Sequence, residues 1–129
     1  MIKLWRQGKA RVIGVNNYSV SQINELLQNS DIIPAVNQIE FHPFLYQKDL
    51  LRFARIIKIS LRLIDHRPEE RGSTHPNIVG LTKKYDKTSA QVLIHWSLQH
   101  DLVVILKSTH EERILENANY STSILNLKI

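Results

Sequence analysis

Lys107, Ser108, Thr109 and Arg113 follow one another closely, two cations and two hydroxyls in a short stretch. Together they could hold an anion. Thr109-x-x-Glu112 has capping-box spacing, which predicts a helix starting there. Arg113 then falls in the first turn, where a cation opposes the helix dipole by about 0.3–1 kcal/mol. Glu111 and Glu112 offset part of that cost. A bound phosphate would offset more, because the first N–H groups of a helix have no helical acceptor. The same residues also fit a solvated turn with Arg113 paired to Glu116 at i,i+3. Spacing alone leaves both readings open.

Other polar residues gather in a comparable way. Asn16-Asn17, Glu40 with His42, Asp65-His66 and Lys107-Ser108 each follow an apolar run that reads as a strand. In parallel α/β folds the carboxyl ends of the strands carry the site. Gln38 lies inside such a run, where an unsatisfied amide costs about 1–3 kcal/mol. It calls for core backbone or a ligand amide as its partner.

The elements that must position these residues alternate. Strands are expected at 10–15, 35–40, 59–64 and 103–106. A helix over residues 1–9 stops at Gly8. Ser19-x-x-Gln22 opens a helix with Ile23, Leu26 and Leu27 on one face. A further helix covers 47–56 with Leu50, Leu51 and Phe53 inward. Residues 65–74 form a polar loop, 75–85 a weak helix interrupted by Gly80. Thr88-x-x-Gln91 opens an apolar helix marked by Val92, Leu93, Trp96 and Leu98. From residue 119 the chain is irregular. The alternation predicts a parallel sheet covered by helices, and the even spacing of the first three strands predicts repeated β/α units.

Composition bounds the rest. With 129 residues, 43% hydrophobic and 22% charged, the chain suits one soluble globular domain over residues 1–129. No apolar run is long enough to cross a membrane, and the start lacks the apolar segment of a secretory signal. The absence of cysteine excludes disulfides and thiolate metal sites. A cytoplasmic location is expected. The net charge is +5, but the cations are scattered rather than grouped in a groove motif. A generic basic surface is therefore favoured over a nucleic-acid interface.

Taken together, Gly14-Val15-Asn16-Asn17-Tyr18, the stretch Val36-Asn37-Gln38-Ile39-Glu40-Phe41-His42-Pro43-Phe44-Leu45-Tyr46-Gln47, Ala90-Gln91-Val92-Leu93-Ile94, and Ile105-Leu106-Lys107-Ser108 with Arg113, Glu116 and Asn117 resemble the aldo-keto reductases. The motifs span nearly the whole chain in the family's order. The resemblance implies strands five to eight of a (β/α)8 TIM barrel, the C-terminal half of an oxidoreductase that reduces aldehydes and ketones with NADPH. It implies that Asn17 and Gln38 bind the nicotinamide carboxamide, since an amide offers both donor and acceptor to another amide. Asn16 stands beside them where the family has Ser. The resemblance gives Lys107, Ser108 and Arg113, with Thr109 in the same turn, to the 2′-phosphate, and Glu116 and Asn117 to the adenine. That makes the cofactor NADP(H) rather than NAD.

Departures cluster at the same positions. The family's strand-seven Tyr, which stacks on nicotinamide, aligns with Ile64; its Gly-Ile aligns with Lys58-Ile59, and its Pro before Lys107 with Leu106. Its catalytic Asp, Tyr, Lys and His lie in the first four β/α units, which have no counterpart here, so no catalytic residue is assigned. The chain is expected to be inactive alone. A carbonyl substrate would be reduced only if an N-terminal half were supplied. Exposed sheet edges and apolar inward-facing side chains on strands five and eight are expected to favour self-association. The alternative is a catalytically dead NADP-binding or protein-interaction module.

Overall fold

The computed structural model describes residues 1–64 and 74–119. The polar loop expected at 65–74, with Asp65 and His66, lies outside the described residues apart from Thr74, as does the tail from 120. Two compact units divide the chain.

The first unit takes Met1–Phe41 and Leu45–Ile64. It contains α1 (Ile2–Arg6), β1 (Gly14–Asn16), α2 (Val20–Gln28), β2 (Val36–Ile39), α3 (Lys48–Ile57) and β3 (Ser60–Leu63). The three strands form a parallel sheet in the order β1-β2-β3. Each is shorter than the apolar run that announced it. Alternation sorts the side chains: Ile39, Leu61 and Leu63 are buried, together with Asn37, while Ser60 is exposed. Ile23 from α2 and Leu50, Leu51 and Ala54 from α3 complete this core. Phe53, expected inward, is only half-buried.

Local signals set the helix ends. At α2 the Ser19 hydroxyl accepts the Gln22 N–H (3.3 Å) while Gln22 Oε1 accepts the Ser19 N–H (2.9 Å), the expected reciprocal box. Gly8 sits beyond α1 with φ of +70°, a left-handed conformation that suits glycine. α3 ends on Lys58 with φ 60° and ψ 37°, in the left-handed region where glycine is preferred. Gly14 answers a different demand. A Cβ there would lie 2.9 Å from the Val36 carbonyl oxygen of the neighbouring strand.

The second unit contains α4 (Pro76–Tyr85), α5 (Ser89–Gln99) and α6 (Glu111–Ala118). The expected interruption at Gly80 does not occur. A helical glycine costs only about 1 kcal/mol, and Ile78, packed with Val92, Leu93 and Leu81, holds the helix in place. Pro76 and the His75 imidazole, which accepts the Asn77 N–H (3.3 Å), start it. Thr88 and Gln91 form the predicted capping box of α5. Val92, Leu93, Ile94, Trp96 and Ser97 of that helix are all buried, and Leu98 is half-buried.

Residues 103–106 correct the expectation of a buried strand. Only Val103 makes an isolated bridge, and Val103 and Ile105 are nearly half exposed, at 47% and 45%. A strand requires a continuous ladder as well as apolar residues, and none forms here. A second correction concerns the face of the three-stranded sheet opposite Asn37, Ile39, Leu61 and Leu63. It carries Gly14, Asn16, Val36, Gln38, Ser60 and Arg62, so it is mainly polar rather than apolar. The apolar exposure expected of the last strand is seen at Val103 and Ile105. No described helix is long and apolar enough to cross a membrane.

Candidate functional site

In the first unit the site is built where β1 and β2 end. Asn16 lies opposite Gln38 in the ladder. Asn17 follows with φ of 56°, a left-handed conformation that Asn tolerates better than most residues. This turn is fastened on both sides. The Asn17 N–H donates to the Gln38 carbonyl (2.8 Å). One residue on, the Asn37 amide grips the backbone of Tyr18: Nδ2 donates to the Tyr18 carbonyl (2.8 Å) and Oδ1 accepts the Tyr18 N–H (3.2 Å). Asn16 and Asn17 are exposed and Gln38 is half-buried, so all three are accessible at the strand ends.

The buried amide of β2 therefore belongs to Asn37, at 0% exposed, and not to Gln38. Sequence reasoning passed over Asn37 as a partner-seeking residue. Its signal was the strand period: Asn37 shares parity with Ile39 and Phe41, both buried, while Gln38 shares parity with Val36 and Glu40. Asn37 turns a buried polar group into a clamp. That clamp fixes the turn presenting Asn17.

In the second unit the candidate residues lie on the approach to α6 and along it. The expected Thr109–Glu112 capping box is not formed. The N-cap is His110, and α6 starts at Glu111 without a side-chain cap. Ser108 takes the local role instead. Its hydroxyl accepts the His110 N–H (3.1 Å) and donates to the His110 carbonyl (3.2 Å), a serine turn of the kind that competes with capping. A hydroxyl two residues before the cap was the signal available for it. Thr109 is exposed and makes no box.

Arg113 falls in the first turn of α6, as expected, preceded by Glu111 and Glu112. Lys107 and Arg113 are exposed, while Glu116 and Asn117 are half-buried. The helix is held by Gln91, whose Nε2 donates to the Glu116 carbonyl (3.1 Å) while its Oε1 completes the α5 capping box. One amide thus caps α5 and anchors the far end of α6. This stretch can offer an anion two cationic side chains and the positive end of a helix dipole. The strand-end stretch of the first unit offers amides suited to a neutral amide.

Comparisons with known proteins agree with this architecture. A family model described as the aldo/keto reductase family matches residues 1–75. The glyoxal reductase of Bacillus subtilis is 42% identical over 119 residues, which is 91% of this chain and 42% of the relative. The crystal structure of an aldo/keto reductase from Brucella melitensis superposes with a TM-score of 0.85 at 30% identity, over 97% of this chain and 48% of that one. A Bombyx mori aldo-keto reductase solved in complex with NADP gives a TM-score of 0.84 at 31% identity, over 97% of this chain and 44% of that one. The chain spans less than half the length of these relatives. Its α/β architecture is that of part of a (β/α)8 barrel. With more than half of its residues matched by the family model, the chain belongs to the aldo/keto reductase family.

Proposed function

We propose that this chain is the cofactor-binding half of an NADP(H)-dependent carbonyl reductase and that it carries out no reduction alone. The observation that carries the reading is the clamped turn at the ends of β1 and β2. There Asn37 and the Gln38 carbonyl hold Asn17 in a left-handed conformation beside Gln38. A turn fixed from both sides costs little further ordering on binding, which is what a carboxamide site requires. Asn16, Asn17 and Gln38 would hold the nicotinamide carboxamide. Lys107, Ser108, Thr109 and Arg113 would hold the 2′-phosphate, and Glu116 and Asn117 would adjoin the adenine. The fit is better at the phosphate end. The left-handed Asn17 turn suits the carboxamide, but Ile64, 41% exposed, offers no aromatic face for the ring. A Bombyx mori relative solved with NADP supports the choice of cofactor.

Bound there, NADP(H) would supply the hydride for a carbonyl carbon. The chain's own residues bind and orient. None of them is assigned the proton donor, a role that typically contributes 10²–10⁴-fold. The edges of β1 and β3, without a further strand among the described residues, and the exposed Val103 and Ile105 favour self-association, or pairing with an N-terminal half that supplies catalysis. The largely polar character of the sheet face that carries Asn16, Gln38, Ser60 and Arg62 weakens one expected drive toward association.

The test is NADPH titration by fluorescence, together with NADPH oxidation over a panel of aldehydes. Binding without turnover is expected. Arg113→Ala should weaken NADPH roughly tenfold or more while changing NADH little, because the role proposed for Arg113 is to hold the 2′-phosphate, which NADH lacks. Turnover near 1 per second, an ordinary enzymatic rate, would refute inactivity. Equal losses for the two cofactors would refute the role of Arg113.

A further inference from the structure

Apolar packing seats α6 only weakly. None of its residues is buried, and Ile114 and Leu115 are more than half exposed. α5 is the opposite case, with Val92, Leu93, Ile94 and Trp96 all buried. Gln91, itself buried, ties the loosely packed helix to the well-packed one. Its Nε2 donates to the Glu116 carbonyl (3.1 Å), and its Oε1 accepts the Thr88 N–H (3.1 Å). Only one orientation of the amide serves both, because an N–H needs the oxygen and a carbonyl needs the nitrogen. The Glu116 carbonyl lies in the last turn of α6, where carbonyls lack α-helical donors. The Asn119 N–H is its other donor. One side chain thus caps the start of α5 and the end of α6.

We propose that Gln91 is a positioning residue for the adenosine end of the cofactor, acting through α6. This role rests on the ones proposed for Lys107, Arg113, Glu116 and Asn117. Gln91 bonds Glu116 through its backbone, so the side chains of Glu116 and Asn117 stay free to meet a ligand. Arg113 lies three residues earlier on the same helix. An element with few buried contacts opens at low cost. Whenever α6 leaves its seat, the adenine and 2′-phosphate contacts leave with it. Apparent affinity then falls with the fraction of chains in the seated state, and the Gln91–Glu116 bond raises that fraction.

The test is isothermal titration calorimetry of the full 129-residue chain with NADPH and, separately, with adenosine 2′,5′-bisphosphate. The second probe has the adenine and the 2′-phosphate but no nicotinamide. Circular dichroism sets a temperature at which each variant is folded. Gln91→Leu should weaken both ligands by the same factor, roughly three- to tenfold, the range that one hydrogen bond represents. Gln91→Glu keeps an acceptor for the Thr88 N–H but sets a carboxylate against the Glu116 carbonyl. It should recover stability without recovering affinity, and it serves if Gln91→Leu does not fold. Thr88→Val removes the hydroxyl that accepts the Gln91 N–H (3.2 Å) and leaves the Glu116 bond in place. It should lose stability and bind both ligands as the parent does. Parent-like affinity in Gln91→Leu or Gln91→Glu would overturn the proposal. So would equal weakening by Thr88→Val, or a loss confined to NADPH. A parent chain that binds neither ligand would refute the cofactor reading and this role with it. A parent that binds both, with the Gln91 variants unchanged, would refute the role of Gln91 alone.

Discussion

Replacing Asn37 by leucine tests whether the strand-end turn is held by its clamp or would form without it. The side chain is 0% exposed and makes two hydrogen bonds, one to each backbone polar group of Tyr18. Leucine has a similar size but can make neither, so the Tyr18 N–H and carbonyl lose their partners. An unmet buried group costs about 1–3 kcal/mol. Tyr18 is half-buried, so water reaches it in part and the lower half of that range applies to each group. The sum is about 2–4 kcal/mol, and the better burial of leucine offsets roughly 1 kcal/mol of it. A net loss of about 1–3 kcal/mol is expected in urea denaturation followed by circular dichroism. Faster hydrogen exchange at the Tyr18 amide should accompany it.

Asn37→Asp sharpens the test. It keeps an acceptor for the Tyr18 N–H but sets a carboxylate against the Tyr18 carbonyl at a position that is 0% exposed. Burial raises the folded-state pKa of such a group above its unfolded value. The destabilisation is therefore full well above pH 4 and eases as the pH falls and the acid regains a proton to donate. At pH 7.5 Asn37→Asp should be less stable than Asn37→Leu, and the difference should shrink at pH 4.5. If Asn37→Leu matched the parent chain, or Asn37→Asp showed no pH dependence, the clamp would not be what holds the turn.

Two more outcomes follow from the same geometry. Lys58→Gly should stabilise the chain by about 1 kcal/mol in the same denaturation assay, because Lys58 occupies a left-handed helix end with φ of 60° where glycine carries no Cβ penalty. Gln91→Leu should cost about 2 kcal/mol, from the lost capping bond to Thr88 and the lost bond to Glu116. Gln91→Glu keeps the cap acceptor and should recover about half of that. If the two Gln91 variants lost the same amount, the Glu116 bond alone would account for the effect.

Whatever depended on neighbours in the chain was legible from the residues alone. The Ser19–Gln22 and Thr88–Gln91 boxes form as read, because both partners lie within one turn and need nothing else. The β/α alternation and the parallel sheet were legible for the same reason, since apolar periodicity is a local property. The motif spacing that resembled the aldo-keto reductases was likewise present in the residues. Thr109–Glu112 shows the limit of local reading. The pattern was present, but the Ser108 turn on His110 won the competition for the helix start.

Tertiary structure decided the rest. Residues 103–106 have the composition of a strand but lack a ladder, and a ladder is made by a partner distant in sequence. Whether Asn37 or Gln38 would be the buried amide depended on which face of β2 met the helices, and side chains one residue apart point to opposite faces. The Asn16–Gln38–Arg62 row exists only through the register of three strands whose residues stand more than twenty positions apart. The chain's own order thus determined which residue types could take an amide or a phosphate. Strand pairing determined which of them were clamped, exposed or set side by side.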